Sequence, residues 1–162
     1  MRLFVALELP GGVRSELARW GGEVAAATSG LRCVSEANLH VTLCFLGARP
    51  ASEVAAIASA CAGLASQPPA PLRLGDALWL PRRAPRVLAV ALDDTEGKLA
   101  AVQTRLSTAL ASGGWYVPER RRFLAHVTVA RVRRGSHVRA SPLAAPAALE
   151  LLGAKPLGGA GG

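Results

Sequence analysis

The same four-residue pattern occurs twice in this chain: His, an apolar residue, Thr and a second apolar residue. The copies occupy residues 40–43 and 126–129, and each lies in a run of β-forming residues, 39–46 and 123–129. Because successive side chains of a strand point to opposite faces, the His and the Thr of each copy share one face, and the apolar residues can face a core. One copy alone would be read as an ordinary strand, but two matched copies favour a site.

Two histidines in matched settings are suited to proton transfer at a phosphoryl group. Imidazole gives or takes a proton near neutrality, since its unperturbed pKa is about 6.5. His40 and His126 could act as a pair, one removing a proton from water and the other protonating the departing oxygen of a phosphodiester. The hydroxyls of Thr42 and Thr128 could donate hydrogen bonds to non-bridging phosphate oxygens, so that neither a metal ion nor another cofactor is needed.

Three segments of the chain carry a family resemblance. They are residues 1–10 (MRLFVALELP), 38–47 (NLHVTLCFLG) and 122–131 (RFLAHVTVAR). The first resembles the opening strand, and the other two the paired motifs, of the 2H phosphoesterases. Within that superfamily the chain is similar to the RNA 2′,3′-cyclic phosphodiesterases, also called 2′-5′ RNA ligase-like proteins. The resemblance implies hydrolysis of a terminal 2′,3′-cyclic phosphate on RNA to a 2′-phosphate.

The resemblance also implies individual roles. His40 would be the general acid that protonates the leaving 3′ oxygen, and His126 the general base that acts on water. Thr42 and Thr128 would hold the phosphate oxygens. Arg131 matches the Arg that follows the second motif in the family, and it is a further candidate for phosphate binding, although strict alternation directs it away from His126.

Two other functions fit the same residues. One is a module that binds RNA or nucleotide phosphates without turnover, because the family usually continues into another strand or two where this chain ends in a Gly-rich stretch, 149–162. The other is a phosphodiesterase that acts on a small cyclic nucleotide or on ADP-ribose cyclic phosphate. An acid and base pair favours an enzyme over the binding module, since binding alone requires no proton transfer.

The charge of the chain favours a polyanionic partner. Its formal net charge is +8, and 17 of its 19 basic residues are arginine. Arginine runs at 82–83, 120–122 and 131–134 include two that flank the second motif, and guanidinium groups can bond phosphate through two parallel contacts. Aromatic residues make up only 4% of the chain. We therefore expect RNA to be bound at its end and not along a stacking platform.

The cysteines and the hydropathy pattern indicate the compartment. Cys33, Cys44 and Cys61 show neither disulfide nor zinc spacing, so we expect reduced thiols. Cys44 has the same parity as His40, although a buried apolar role is favoured. No segment has the length and apolarity of a membrane span, and the first strand is not a convincing signal peptide. We expect a cytoplasmic monomer.

The predicted fold is α+β: one domain, 1–152, of two pseudo-symmetric lobes, with mainly antiparallel sheets flanked by helices around a central active-site groove. Lobe one covers about 1–66 and lobe two about 72–134, with a Pro-rich linker between them, a shortened C-terminal segment and a flexible tail at 153–162. The predicted strands are 2–9, 39–46, 72–80, 86–92 and 123–131, and the predicted helices are 12–27, 51–66 and 95–112.

Overall fold

The computed structural model describes residues 1–64, 72–146, 150–151 and 156–159, and has an α+β architecture in which every strand pairing is antiparallel. The described helices are α1 (Gly11–Ala27), α2 (Val54–Ala62) and α3 (Lys98–Ser112). The described strands are β1 (Arg2–Glu8), β2 (Leu31–Cys33), β3 (His40–Ala48), β4 (Leu72–Leu80), β5 (Val87–Asp93), β6 (His126–Val132), β7 (Glu150–Leu151) and β8 (Pro156–Gly159). The predicted fold class is confirmed.

The strands form one sheet in the order β7-β4-β5-β6-β3-β1-β8, and β2 also pairs with β6. Among the described residues, β3 and β6 are joined by one residue pair, Val41 with Val127. The sheet therefore consists of two half-sheets, β8-β1-β3 and β7-β4-β5-β6, joined at their inner strands. The bounds of the two lobes stay a prediction: β2, which lies within predicted lobe one, pairs with β6 of the second half-sheet.

The helices cover the apolar face of the sheet. Leu17 of α1 and Leu106 of α3 belong to the same buried cluster as Val41 and Val127. Buried residues recur along α1 and α3 at spacings of three, four and seven, which places them on one stripe of each helix. Helix α1 contacts β6 of the other half-sheet, and α3 contacts β3. Helices α1 and α3 thus each contact the opposite half-sheet, while α2 packs against α3.

The helix boundaries differ from the predicted ones for local reasons. Helix α3 begins at Lys98 and not at residue 95, because the Asp94 carboxylate accepts hydrogen bonds from the backbone N–H groups of Leu99 (3.1 Å) and Ala100 (2.8 Å). Residues 51–53, predicted as the start of the second helix, form a 3₁₀ turn ahead of α2. The predicted linker, 67–71, lies outside the described residues. None of the described helices has the length and apolarity that crossing a membrane requires.

Two described strands lie in the C-terminal part of the chain, which is predicted to be a shortened segment with a flexible tail. Strand β7 pairs with β4, and β8, which lies within the predicted tail 153–162, pairs with β1. One strand is thereby added to each half-sheet. The connection to β7 is bound by two indoles: Trp79 Nε1 donates to the carbonyl of Ser141 (2.8 Å), and Trp20 Nε1 donates to that of Ala144 (3.2 Å).

Each motif strand contains a β-bulge at the fourth residue of its motif. In β3, Val5 is paired with Cys44 and Ala6 with Thr42, which leaves Leu43 as the extra residue. In β6, the residues paired with β5 pass from Thr128 to Ala130, which leaves Val129 as the extra residue. Two consecutive residues of each strand therefore point into the core, and the alternation of faces is reversed beyond the bulge.

Helix α1 approaches the β6 bulge closely, and two adjacent glycines provide a test of that contact. A Cβ atom at Gly21 would lie 3.3 Å from both the Cβ and the carbonyl oxygen of Val129, whereas one at Gly22 would have nothing within 4 Å. We expect Gly22→Ala to raise the free energy of unfolding by about 0.5–1 kcal/mol through helix propensity. Gly21→Ala should be less stable than Gly22→Ala by about 1–3 kcal/mol, because it overpacks the bulge. Urea denaturation measures both; equal stabilities would contradict the close approach.

Candidate active site

The register at the junction brings both motifs together on one face of the sheet. Val41 and Val127 are paired and buried, so the residues on either side of them point to the opposite face. Continuing this register by one residue places His40 beside Thr128 and Thr42 beside His126. We call this side of the sheet the histidine face.

The two histidines are diagonal neighbours on that face. In a regular antiparallel pair, directly opposite Cβ atoms lie about 4.5–5.5 Å apart and diagonal neighbours about 7–8 Å apart. His40, Thr42, His126 and Thr128 are all half-buried, so each side chain is partly shielded yet open to a ligand. A phosphoryl group placed above the Val41 and Val127 pair would have an imidazole on two sides and a hydroxyl on the other two.

Both imidazoles are oriented by the same hydrogen bond. Nδ1 of His40 lies 2.7 Å from the carbonyl oxygen of Asn38, and Nδ1 of His126 lies 2.7 Å from that of Leu124. A carbonyl oxygen only accepts, so Nδ1 carries the proton in both rings. Nε2 is then the atom left for chemistry: its lone pair makes the neutral ring a base, and its N–H makes the charged ring an acid.

An aromatic ring and a nearby positive charge also act on His40. The ring of Phe4 stacks on its imidazole, with centroids 4.8 Å apart and planes 15° from parallel. Burial lowers the pKa of His40 and the positive charge of Arg131 lowers it further, while the hydrogen bond to Asn38 acts in the opposite direction. In the unliganded chain the neutral form of His40 is therefore favoured.

The bulges correct two expectations based on strict alternation. Because Val129 is the extra residue of β6, Arg131 lies on the histidine face and not on the opposite one. Because Leu43 is the extra residue of β3, Cys44 turns into the core, where it is 1% exposed. Burial, followed by the neighbouring Cys61, raises the pKa of the Cys44 thiol to about 11, so the favoured buried role of Cys44 agrees with the structure.

The arrangement can support acid–base chemistry at a phosphoryl group. The two imidazoles lie on one face with Nε2 left for proton transfer, and the hydroxyls of Thr42 and Thr128 are donors on that face. Within the described ranges, no group of three or more His, Cys, Asp or Glu side chains could hold a metal ion. Histidine and threonine side chains, with Arg131 beyond them, are polar groups that the register places on this face.

Comparison with known proteins assigns the chain to a family. Residues 7–89 match the family described as LigT like phosphoesterase. The RNA 2′,3′-cyclic phosphodiesterase of Escherichia coli K12 is 33% identical over 131 residues, which cover 80% of this chain and 71% of that protein. The chain belongs to the LigT-like phosphoesterases. The family predicted from the two motifs is thus confirmed.

Other similar proteins support the same family and fold. The RNA 2′,3′-cyclic phosphodiesterase of Geobacillus stearothermophilus is 29% identical over 135 residues, covering 82% of this LigT-like phosphoesterase but 42% of that protein. The chain thus spans less than half the length of that relative. The crystal structure of Escherichia coli LigT complexed with 3′-AMP has a TM-score of 0.73 and 27% identity, covering 93% of this chain and 83% of that one.

Sequence reasoning missed the residues that surround the histidines of this LigT-like phosphoesterase. Phe4 lies on the predicted first strand, but its contact with His40 depends on the pairing of β1 with β3. Phe45 also lies on the histidine face beyond the β3 bulge, where it is 50% exposed and the partner of Phe4 in the register. The alternation of side chains along the first strand could have placed Phe4 on a face of the sheet. No local sequence pattern indicated the bulge in β3 that changes the face of Phe45.

The effect of Arg131 on His40 can be measured without substrate. Arg131→Gln should raise the pKa of His40, because removal of a nearby positive charge favours the imidazolium form. NMR titration of the imidazole protons gives this pKa directly. Arg139→Gln, which removes a guanidinium from an exposed position in the connection after β6, is the matched control and should leave it unchanged. An unaltered His40 pKa in Arg131→Gln would show that Arg131 lies too far away to act on it.

Proposed function

We propose that this protein is an RNA 2′,3′-cyclic phosphodiesterase, which hydrolyses a terminal 2′,3′-cyclic phosphate to a 2′-phosphate without a metal ion. His40 is the general acid that protonates the 3′ oxygen, and His126 is the general base that removes a proton from the attacking water. Thr42 and Thr128 donate hydrogen bonds to the non-bridging oxygens, and Arg131 adds positive charge beside them.

One observation carries this proposal. The register that pairs Val41 with Val127 sets two histidines of the same orientation and tautomer on one face, each with a threonine from the other strand beside it. Relatives that share the family are named RNA 2′,3′-cyclic phosphodiesterases, and a structural neighbour was crystallised with the nucleotide 3′-AMP. Paired proton-transfer groups favour turnover over binding alone, and each half-sheet has a further strand, β7 beside β4 and β8 beside β1.

The assignment of His40 as the acid requires that the substrate raise its pKa. Burial and Arg131 favour the neutral ring in the unliganded chain, whereas an acid must be protonated when it acts. The negative charge of a phosphodiester a few ångströms away favours the imidazolium form. Binding of the substrate therefore raises the pKa of His40, so that the ring takes up a proton from solvent before the leaving oxygen departs.

The test of the paired roles uses substitutions that keep the orienting hydrogen bond. Asparagine can still donate from its amide to the carbonyl that receives Nδ1–H, but it has no atom in the place of Nε2. His40→Asn and His126→Asn should each lower kcat by about 10²- to 10⁴-fold on an oligoribonucleotide ending in a 2′,3′-cyclic phosphate. Rates are measured in excess EDTA, in which wild-type turnover should persist.

His137 provides the matched control for the histidine substitutions. It is exposed in the connection after β6 and lies outside the histidine face, so His137→Asn should retain wild-type kcat. The double variant at His40 and His126 should be far less impaired than the product of the single losses, because the two groups act as a unit. Wild-type protein that binds the oligonucleotide but turns it over no faster than the double variant would be a binding module and not an enzyme.

The pH dependence follows from the direction of the His40 shift. The alkaline limb of kcat/KM reports the acid in the free enzyme, and that of kcat reports it in the complex. The pKa of free His40 is lowered, so kcat/KM should fall as pH rises through a value below 6.5, the ordinary value. Bound phosphate raises the pKa, so the alkaline limb of kcat should lie at higher pH. Coinciding limbs would argue against His40 as the acid.

The proposal also includes the substrate, the oligomeric state and the compartment. The partner is RNA that carries a 2′,3′-cyclic phosphate end, and the protein acts as a monomer in the cytoplasm. Free thiols at Cys33, Cys44 and Cys61 support a reducing compartment, because disulfides are rare there.

A further inference from the structure

Two arginines form a like-charged pair at one end of the histidine face. Arg32 of β2 and Arg131 of β6 are directly opposite in the antiparallel register, and both are exposed. Directly opposite side chains share a face and have Cβ atoms about 4.5–5.5 Å apart. Their neighbours in the register, Leu31 and Val132, are buried and half-buried, so both guanidinium groups are directed away from the core.

This pairing is unfavourable unless an anion is present. Like charges in opposite positions of an antiparallel pair are destabilising. The ion pairs found within the described part of the chain use Arg14, Arg19, Arg49 and Lys98, and none of them includes Arg32 or Arg131. A phosphate between the two guanidinium groups would convert the repulsion into two charge-assisted contacts, each of which can be bidentate.

The pair is continuous with the proposed catalytic groups. Along β6 the residues on the histidine face are His126, Thr128 and, beyond the bulge, Arg131. Strand β2 continues towards His40, since the N–H of Val34 donates to the carbonyl of Val129 (2.8 Å). The pair therefore lies next along the strand to His40 and Thr128, which flank the place above Val41 and Val127 where the reacting phosphate would sit.

The other end of the histidine face carries aromatic side chains. Phe45 follows His40 by five positions, and Arg131 follows His126 by five positions. Phe45 and Arg131 therefore occupy equivalent positions after the two motifs. Phe45 is half-exposed, its register partner is Phe4, and the guanidinium carbon of Arg2 lies 5.5 Å from the centroid of its ring. One end of the histidine face thus offers aromatic surface, and the other end offers paired guanidinium groups. Because the two ends differ, a nucleotide chain would be bound in one of its two possible orientations along the face.

We propose that Arg32 and Arg131 together bind the phosphodiester on the 5′ side of the terminal nucleotide. The site then selects an RNA end over a nucleoside 2′,3′-cyclic phosphate, which has no second phosphate. This inference depends on the proposed function, because it assumes that the cyclic phosphate lies between the histidines. Arg32 is the new specificity residue, and it lies on a strand that neither motif contains.

The test compares a mononucleotide that lacks the second phosphate with two dinucleotides that differ only in the charge of that linkage. They are adenosine 2′,3′-cyclic phosphate, diadenylate ending in a 2′,3′-cyclic phosphate, and the same dinucleotide with an uncharged methylphosphonate linkage. Arg32→Gln should lower kcat/KM for the charged dinucleotide by about 10- to 100-fold, the usual effect of losing a hydrogen bond to a charged group. It should leave kcat/KM for the other two substrates unchanged, and Arg139→Gln should change none of the three.

Two results would overturn the proposal. One is an equal loss on all three substrates, which would assign Arg32 to the reacting phosphate or to the fold. The other is no loss on the charged dinucleotide. Arg32 is tested in preference to Arg131 because Arg131 also affects the pKa of His40.

A binding measurement separates this proposal from the proposed function. If the wild-type protein hydrolyses none of the three substrates, the catalytic assignment fails, but the second phosphate site can still be judged. Diadenylate ending in a 2′-phosphate is titrated against wild-type protein and Arg32→Gln, with the methylphosphonate analogue as reference. A wild-type preference for the charged linkage that Arg32→Gln abolishes supports the site. Equal affinities of the wild-type protein for both ligands overturn it.

Discussion

The backbone pairing of Val41 with Val127 is the constraint on which the site depends. These two side chains are 1% and 0% exposed, so the junction of the half-sheets is fixed by burial of its apolar face. Each strand has a two-residue period, and burial of the valines therefore directs both histidines and both threonines to the other face. A slip of one residue in either strand would bury its His and Thr and expose its valine. Core packing thus determines the geometry of the proposed chemistry.

The fourth, apolar position of each motif has a structural role. Leu43 and Val129 are the extra residues of two equivalent bulges, and each bulge meets a helix. Gln103 of α3 donates to the carbonyl of Leu43 (3.3 Å), while Gly21 allows α1 to lie against Val129. Each bulge reverses the face of the residues that follow it directly, among them Phe45 in β3 and Arg131 in β6. A motif of four residues therefore specifies both a pair of polar side chains and the point at which strict alternation ends.

The parts of the fold that could be predicted from sequence are those governed by local periodicity. Alternation set the faces of the motif residues, and helical spacing found α1 from Val13, Leu17 and Trp20. Strand β2 and the register of the bulges were missed, because they depend on partners far away in the chain. The Gly-rich ending has low strand propensity, yet β8 pairs along the edge of β1, where backbone hydrogen bonding and not side-chain preference decides the structure.

The repeated motif explains why the two histidines are alike, and the residues outside the two copies explain how the histidines could differ. The same Nδ1 hydrogen bond to a carbonyl two residues earlier gives both rings one tautomer and one orientation. A strictly symmetric site would have no basis for an acid and a base. Five residues after each histidine, however, the repeat has Phe45 in one copy and Arg131 in the other. Because β3 and β6 are antiparallel, the charge of Arg131 acts on the histidine of the opposite motif, His40. A pair of equivalent positions outside both motifs thus adds to the burial of His40 in setting this histidine apart.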